Sequence, residues 1–262
     1  MPVKVLFIAD IIGKPGRLAV SQELHRLVDR YSIDIVIANG ENSAGGFGIT
    51  EETARELYSY GIHLLTSGNH IWDKKESLDF VRREEKLIRP ANYPAGAPGR
   101  GSAVIQTAAG IQVAVLNLEG RVFMNSLDCP FRVAEKEVES LREITPVVIV
   151  DFHAEATSEK MALGSFLDGK VSAVLGTHTH VQTADERLLP GGTAYMTDVG
   201  MTGSFDSVIG IRKELAIEKF LSQLPVRFEV AKKDIRMNCV AIEIDEISGK
   251  ALWIERISVA CR

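Results

Sequence analysis

The sequence predicts an α/β fold in which two mixed β-sheets pack face to face and are flanked by helices. Apolar runs alternate with helical patterns in the first half of the chain, as in the βαβ units of a parallel sheet. Buried-type runs continue through the middle, and the C-terminal part has the pattern of antiparallel strands. With 262 residues, 45% of them hydrophobic, the chain can form one domain, residues 1–262, with a large core.

The first half of the chain carries the alternating pattern most clearly. Residues 3–9, 33–38 and 62–66 are predominantly apolar and predict buried strands. Residues 15–31 place apolar side chains on one face and predict a helix. A second helix is expected to begin at the N-cap residue Thr50 and to end near Gly61.

The middle and the C-terminal part are less regular. Residues 89–101 contain three prolines and three glycines and predict a long loop, which makes residues 71–132 a candidate cap over the site. A hairpin is expected over 103–106 and 111–118, and a helix over 131–142. Further strands are expected at 146–152, 171–175, 226–230, 238–244 and 251–257, the last two joined by a turn at Ser248-Gly249-Lys250.

Five apolar runs each stop at side chains that can bind a metal or move a proton. These side chains are Asp10, Glu41 with Asn42, Asn69 with His70, His153, and the pair His178 and His180. In open α/β folds, sites lie beyond the carboxyl ends of the strands. Each residue alone has a plainer explanation, as a hydrogen-bonded histidine, a loop carboxylate or a turn residue. The joint pattern favours a two-metal hydrolase, because carboxylates, amides and imidazoles are ligands for manganese, iron and zinc.

The composition limits the classes of binding partner and the cellular compartment that we expect for this chain. The net charge of −5 argues against binding long nucleic acid, for which a basic stripe is expected. The chain lacks an apolar run of the roughly 20 residues that span a membrane, and its N-terminal sequence enters a strand-like segment without a signal-peptide pattern. Three widely separated cysteines without zinc-finger spacing indicate a reduced, cytoplasmic setting. A homo-oligomer stays open.

The ligand-type residues occur within motifs that resemble those of the calcineurin-like metallophosphoesterases, and in the same order. The motifs are Asp10, Gly40-Glu41-Asn42, Gly68-Asn69-His70, His153 and Gly176-Thr177-His178-Thr179-His180. Longer stretches are similar to the bacterial YmdB-like branch of that superfamily. They include Gly68-Asn69-His70-Ile71-Trp72-Asp73, Arg89-Pro90-Ala91-Asn92, residues 151–160 and residues 197–203.

This resemblance implies a ligand set and a reaction. Metal one would take Asp10, Glu41, Asn42 and His180, and metal two would take Glu41, Asn69, His153 and His178. A hydroxide between the two metals would attack phosphorus. His70 would face the substrate, where it would stabilise the developing charge or protonate the leaving oxygen. The substrates implied for this branch are small phosphodiesters, in particular 2′,3′-cyclic nucleotides.

Two departures from the general superfamily pattern bear on metal identity. The first motif is usually Asp-x-His, but this chain has Asp10-Ile11-Ile12, and the usual bridging Asp is replaced by Glu41. The YmdB-like branch shares both changes. Asn42 can replace the missing imidazole, which leaves metal one with oxygen-rich ligands. We therefore expect two divalent or trivalent ions, iron or manganese rather than zinc.

Two other functions share this ligand constellation, and the sequence leaves them open. One is a phosphomonoesterase or 5′-nucleotidase with the same metals. The other is a regulatory protein that binds a cyclic nucleotide and turns it over slowly. Arg89, Asn92 and Tyr93 in the long loop are candidate substrate contacts, and residues 198–203 are candidates for a wall of the pocket.

Overall fold

The computed structural model describes residues 2–261, which contain thirteen strands. In chain order these are β1 (Val3–Ile8), β2 (Asp10–Ile11), β3 (Ile35–Asn39), β4 (Leu64–Thr66), β5 (Ser102–Gln106), β6 (Gln112–Glu119), β7 (Val148–His153), β8 (Ala173–Thr177), β9 (Arg187–Leu188), β10 (Ala194–Met196), β11 (Met201–Ser204), β12 (Ile235–Ile244) and β13 (Ala251–Ala260). The α-helices are α1 (Gly13–Tyr31), α2 (Glu51–Ser59), α3 (Leu78–Arg83), α4 (Pro130–Arg142), α5 (Thr157–Leu167) and α6 (Lys213–Ser222), and a 3-10 turn (Lys75–Ser77) precedes α3.

The strands form two mixed sheets. The first has the order β2-β11-β12-β1-β3-β4, with β13 also paired to β12. The second has the order β5-β6-β7-β8-β10-β9. Parallel pairs occupy the centre of the second sheet, from β6 to β10, and antiparallel β5 and β9 lie at its edges. Since β3, β4, β7 and β8 run in parallel pairs, the carboxyl ends of neighbouring strands meet at common sheet edges.

Side chains alternate between the two faces of each strand and so form three hydrophobic cores. One lies between the two sheets, and the others lie between each sheet and the helices that cover it. In β1, Val5 and Phe7 belong to the cluster that also contains Ile149 and Leu175 of the second sheet. The intervening Leu6 and Ile8 face the opposite way and pack with residues of α1 and α2. The outer face of the second sheet packs against α4 and α5. The predicted fold class, two mixed sheets flanked by helices, is confirmed.

Several predicted elements agree with the structure within a few residues. The Thr50 cap is present, because its side chain accepts a hydrogen bond from the Thr53 amide. The hairpin of β5 and β6 is antiparallel, as expected, and so is the pair of β12 and β13. Within residues 71–132, β5 and β6 are strands of the second sheet, so a cap would be confined to the surrounding loops and stays a prediction.

The strand predicted at 226–230 is wrong. Only Val230 pairs, through a single bridge to Ile211, and the rest of the segment has no strand neighbour within the described chain. The apolar pattern of this segment is explained by other contacts. Val230 packs over Gly13 and Gly46, and Phe228 lines a cleft. In the described range 2–261, no helix is long and apolar enough to cross a bilayer.

Candidate metal centre and active site

Three of the predicted ligand side chains converge on one ring nitrogen of a fourth, His153. Its Nε2 lies 2.9 Å from Glu41 Oε1, 3.0 Å from Asn69 Oδ1 and 3.1 Å from His178 Nδ1. Ligand atoms of Glu41, His153 and His178 all lie within 4.8 Å of one another. One cation could be coordinated by this group, whose oxygen and imidazole donors suit a first-row transition metal.

The other predicted ligands form a neighbouring group around His180. Its Nε2 lies 3.3 Å from Asn42 Nδ2 and 3.9 Å from Asp10 Oδ2. Glu41 adjoins this group as well, since Asn42 Nδ2 lies 3.5 Å from Glu41 Oε1. The structure therefore brings together all seven predicted ligand residues, with Glu41 in contact with both groups.

Burial makes this cluster electrostatically costly without a cation. Asp10 and Glu41 are both 0% exposed. Burial and the nearby negative charges of Glu41 and Asp198 raise the pKa of Asp10 well above its ordinary value, against the opposing charge of His153. Oδ1 of Asp10 and Oδ1 of Asn42 are buried without a hydrogen-bond partner among residues 2–261. Orphaned buried acceptors of this kind fit a site that is built to hold a positive ion.

In the metal-free protein, Glu41 and His153 stabilise each other's charged forms. Burial favours neutral forms of both groups, but their mutual attraction prevails. The adjacent imidazole lowers the pKa of Glu41 to about 2, and the adjacent carboxylate raises the pKa of His153 to about 9. A proton on His153 thus occupies the position that a cation would take between these two side chains. Metal binding must displace that proton.

The orientation of His153 is fixed from behind. Its Nδ1 lies 2.9 Å from Thr177 Oγ1, which donates to Asp151 Oδ1 at 2.7 Å. This chain of contacts directs Nε2 toward the ligand cluster. Gly68 is required in front, because a Cβ there would lie 2.1 Å from the imidazole ring. The Gly in the Gly68-Asn69-His70 motif therefore permits close approach of backbone and ring.

The two histidines after β8 are held by contacts at their far ring nitrogens. His178 Nε2 lies 3.2 Å from Glu155 Oε2, and His180 Nδ1 lies 2.9 Å from the carbonyl oxygen of Ile209. Both histidines have left-handed backbone conformations, with φ of 102° and 64°, which are rare for residues with a Cβ. Such strain persists only where surrounding contacts impose it, and it is typical of functional sites.

His70 lies beside the cluster and not among its ligand atoms. Its backbone amide donates to Glu41 Oε2 at 3.0 Å, and its ring lies edge-on to Phe47. Its Nδ1 lies 2.8 Å from Asp73 Oδ2, which leaves Nε2 available for substrate. Asp73 is exposed and lies just before the 3-10 turn at Lys75–Ser77, so it holds His70 from the surface of the protein.

A cleft of about 320 Å³ opens above the cluster. Glu41, Asn42, His178 and His180 lie at its polar side, and His70 and Glu155 also line it. Phe47 and Gly46, from the glycine-rich loop Gly45-Gly46-Phe47-Gly48, also line it. A substrate in this cleft would therefore meet the ligand side chains and His70 together.

The structure places the long-loop candidates for substrate contact outside the described lining of the cleft. Asn92 is buried, donates to the Glu119 carbonyl at 2.8 Å and accepts from the Glu119 amide at 2.9 Å. Arg89 donates to the carbonyl of Pro90, and Tyr93 packs edge-on against Trp72. Residues 89–93 contribute nothing to the described lining of the cleft. Asn92 thus ties the loop to the end of β6, whereas Arg89 binds carbonyl groups within the loop itself.

Asp198 supports the site from the side away from the cleft, as its contacts illustrate. Its Oδ2 accepts hydrogen bonds from the amide and hydroxyl of Thr179 at 3.1 and 2.8 Å. Lys160 Nζ lies 2.6 Å from the same oxygen and donates to the Thr177 carbonyl at 2.8 Å. Asp198, expected to wall the pocket, instead holds the loop that presents His178 and His180.

A two-sheet α/β sandwich with a buried carboxylate–imidazole cluster at its strand ends defines a hydrolase of the metallophosphoesterase type. Comparisons with known proteins agree. Residues 6–257 match the family model described as YmdB-like protein. The chain is 48% identical over 257 residues to a protein of Bacillus subtilis (strain 168) named 2′,3′-cyclic-nucleotide 2′-phosphodiesterase, covering 98% of this chain and 97% of that one.

Two solved structures have the same fold. One, a hypothetical protein from Thermus thermophilus, has a TM-score of 0.92 at 43% identity, covering 98% of this chain and 99% of that one. The other, described as a novel phosphatase from Mycoplasma pneumoniae, has a TM-score of 0.93 at 36% identity, covering 99% and 94%. The chain belongs to the YmdB-like family, and it is a hydrolytic enzyme of the phosphodiesterase class.

Proposed function

We propose that this chain hydrolyses 2′,3′-cyclic nucleotides with the help of two metal ions bound at the strand ends. The observation that carries the proposal is the position of Glu41, whose buried carboxylate contacts both ligand groups. The similarity to a relative named for this substrate supports the choice of a cyclic nucleotide.

Each metal has a ligand set in this proposal. One ion takes Asp10, Glu41, Asn42 and His180, and the other takes Glu41, Asn69, His153 and His178. When bound, the two ions supply Lewis-acid activation of water and neutralise charge on the phosphate. Oxygen donors outnumber imidazoles in the first set, so iron or manganese is the expected metal.

The chain's own residues supply orientation and a proton. The cluster binds the phosphate at the polar side of the cleft, and His70 lies beside it. Asp73 accepts from His70 Nδ1 and thereby holds the ring with Nε2 toward the substrate. During hydrolysis a water oxygen would bond to phosphorus as one ring P–O bond breaks. His70, carrying protons on both ring nitrogens, would give its Nε2 proton to the departing ribose oxygen, and the proton released by the water would restore His70 to its starting state.

The charge of the substrate supports a diester over a monoester. A monoester dianion can bind across both metals and hold them unproductively, whereas the cyclic diester carries one negative charge. The carboxylate of Glu155 also lines the cleft and adds negative charge near the phosphate. The three free cysteines fit a reduced cytoplasmic location for such an enzyme.

The test is a substrate panel at fixed metal loading. The purified chain, with its metal content measured, is given 2′,3′-cyclic AMP, a linear diester, 3′-AMP and 5′-AMP. We expect the largest kcat/KM for the cyclic substrate. Faster hydrolysis of either monoester would replace the proposal with a nucleotidase, and tight binding with negligible turnover would favour a regulatory binding protein.

A further inference from the structure

The cleft has a polar side and an apolar side, and the ligand cluster accounts only for the first. The apolar side is made by Phe47, Ile209, Ile211 and Phe228. Two of these are exposed: Ile209 is 51% exposed and Phe228 is 39% exposed. Large apolar side chains at the rim of a catalytic cleft are the usual lining of a small-molecule pocket.

The turn around Ile209 holds this residue in an unfavourable backbone conformation. Its φ is +46°, which is a genuine outlier for a β-branched residue. The turn around it is closed by the paired backbones of Val208 and Ile211 and by the bond from the Gly210 amide to Ser207 Oγ. The Ile209 carbonyl accepts from His180 Nδ1, so the same turn sets one ligand histidine and one part of the apolar side.

Phe228 is fixed to this turn through its neighbours. The Arg212 amide donates to the Glu229 carbonyl at 3.0 Å, and the Ala231 amide donates to the Gly210 carbonyl at 2.9 Å. These two hydrogen bonds join the backbone immediately after Phe228 to the turn that carries Ile209. An exposed aromatic ring on a fixed backbone provides a preformed surface, which lowers the entropic cost of binding.

We propose that Phe228, with Ile209 and Phe47, forms the subsite for the nucleobase of the substrate. The inference rests on the proposed function, since phosphate binding at the ligand cluster leaves the base to occupy the apolar side. A flat base fits an aromatic and aliphatic surface, and base–aromatic stacking tolerates different bases. These three side chains carry no hydrogen-bonding group, so the subsite should accept purines and pyrimidines alike.

The test compares substrates with and without a base. Wild type, Phe228→Ala and Phe228→Tyr are assayed with 2′,3′-cyclic AMP and with the 2′,3′-cyclic phosphate of methyl riboside, which lacks the base. Phe220→Ala is the matched control, because Phe220 is 74% exposed on α6 and lies outside the cleft lining. We expect Phe228→Ala to raise KM for cyclic AMP by roughly 5- to 150-fold, the range of one lost stacking contact.

The remaining outcomes separate a subsite from general damage. KM for the base-free substrate, kcat, metal content and the melting temperature should stay near wild type, and Phe228→Tyr should restore KM. Equal effects on both substrates, or no effect on either, would overturn the subsite.

A binding measurement keeps the inference independent of turnover. Calorimetry on the metal-loaded protein compares the dissociation constant of 5′-AMP with that of ribose 5-phosphate, which lacks the base. If the wild type binds AMP no more tightly than ribose 5-phosphate, the base subsite is absent, whatever the enzyme hydrolyses. If AMP binds more tightly through Phe228 but the cyclic nucleotide is not turned over, the proposed function fails while the subsite stands.

Discussion

The ammonium group of Lys160 lies 2.6 Å from Oδ2 of Asp198, and each side chain is only 1% exposed. Lys160 comes from α5, whereas Asp198 follows β10. Together they bind the Thr177 carbonyl and both the amide and the hydroxyl of Thr179. The buried pair therefore holds the loop whose strained histidines face the ligand cluster.

Asp198→Asn should destabilise the protein and weaken metal binding. The substitution leaves the Lys160 charge buried without a partner, which costs about 3–5 kcal/mol in comparable cases. Urea unfolding of the metal-free protein measures the stability, and metal titration well below the melting temperature measures the affinity. The affinity should fall because the loop carrying His178 and His180 loses its support.

A matched control separates this effect from simple loss of an ion pair. Asp234 and Arg236 form a pair at 2.8 Å, with both side chains more than 40% exposed. Asp234→Asn should therefore cost about 1 kcal/mol or less and leave metal binding unchanged. Equal effects of the two substitutions would show that the buried pair has no special role in the metal site.

The convergence of the proposed ligand residues could be predicted from the sequence because strand ends are local features. Apolar runs identify the strands, and the residue after each run must lie at a sheet edge, as Asp10, Glu41 and His153 do. Supporting residues could not be found this way. Lys160 and Asp198 are 38 positions apart, and only the tertiary fold removes both from water. Charged residues at such spacing normally indicate solvent-exposed surface.

The same limit explains the error at residues 226–230. It also explains why the contact between Asp73 and His70 could not be predicted, because only the folded turn places the two side chains 2.8 Å apart. The apolar pattern of 226–230 is real, but its side chains cover glycines and a cleft instead of pairing in a sheet. The periodicity of apolar residues in a sequence indicates which side chains are buried, but it does not indicate which residues they contact.

Glu41→Ala should remove most of the bound metal. Its carboxylate touches both ligand groups, so the substitution deletes a ligand from each proposed ion. Inductively coupled plasma spectrometry gives the number of ions per chain. Glu155→Ala is the control: Glu155 contacts the outer nitrogen of His178, so its loss should reduce affinity by about 10- to 100-fold yet allow two ions at saturation. A Glu41→Ala chain that still holds two ions would refute the shared ligand.

His70→Ala should keep both metals and lose turnover by about 10²- to 10⁴-fold, the usual contribution of a general acid. The reason is that its ring contacts Asp73 and Phe47 and lies outside the groups that hold the ligand atoms. Asp73→Asn retains an acceptor for His70 Nδ1 but loses the charge, so its loss in kcat should be smaller. Loss of metal in His70→Ala would make His70 a ligand, and an unchanged rate would remove it from the mechanism.

The last prediction concerns the stability of the metal-free protein and its dependence on pH. Glu119 ends β6 and is 0% exposed, and burial raises its pKa from 4.5 to about 7, against the opposing charge of His153. Between these values the folded protein binds more protons than the unfolded chain, so the contribution of Glu119 to the free energy of unfolding falls as pH rises. Glu119→Gln removes this penalty and should gain up to about 3 kcal/mol relative to wild type between pH 5 and pH 8. Urea unfolding of EDTA-treated protein at both pH values measures the difference, with the exposed Glu135→Gln as control; a Glu119→Gln gain no larger than that of the control would contradict the buried, protonated carboxyl.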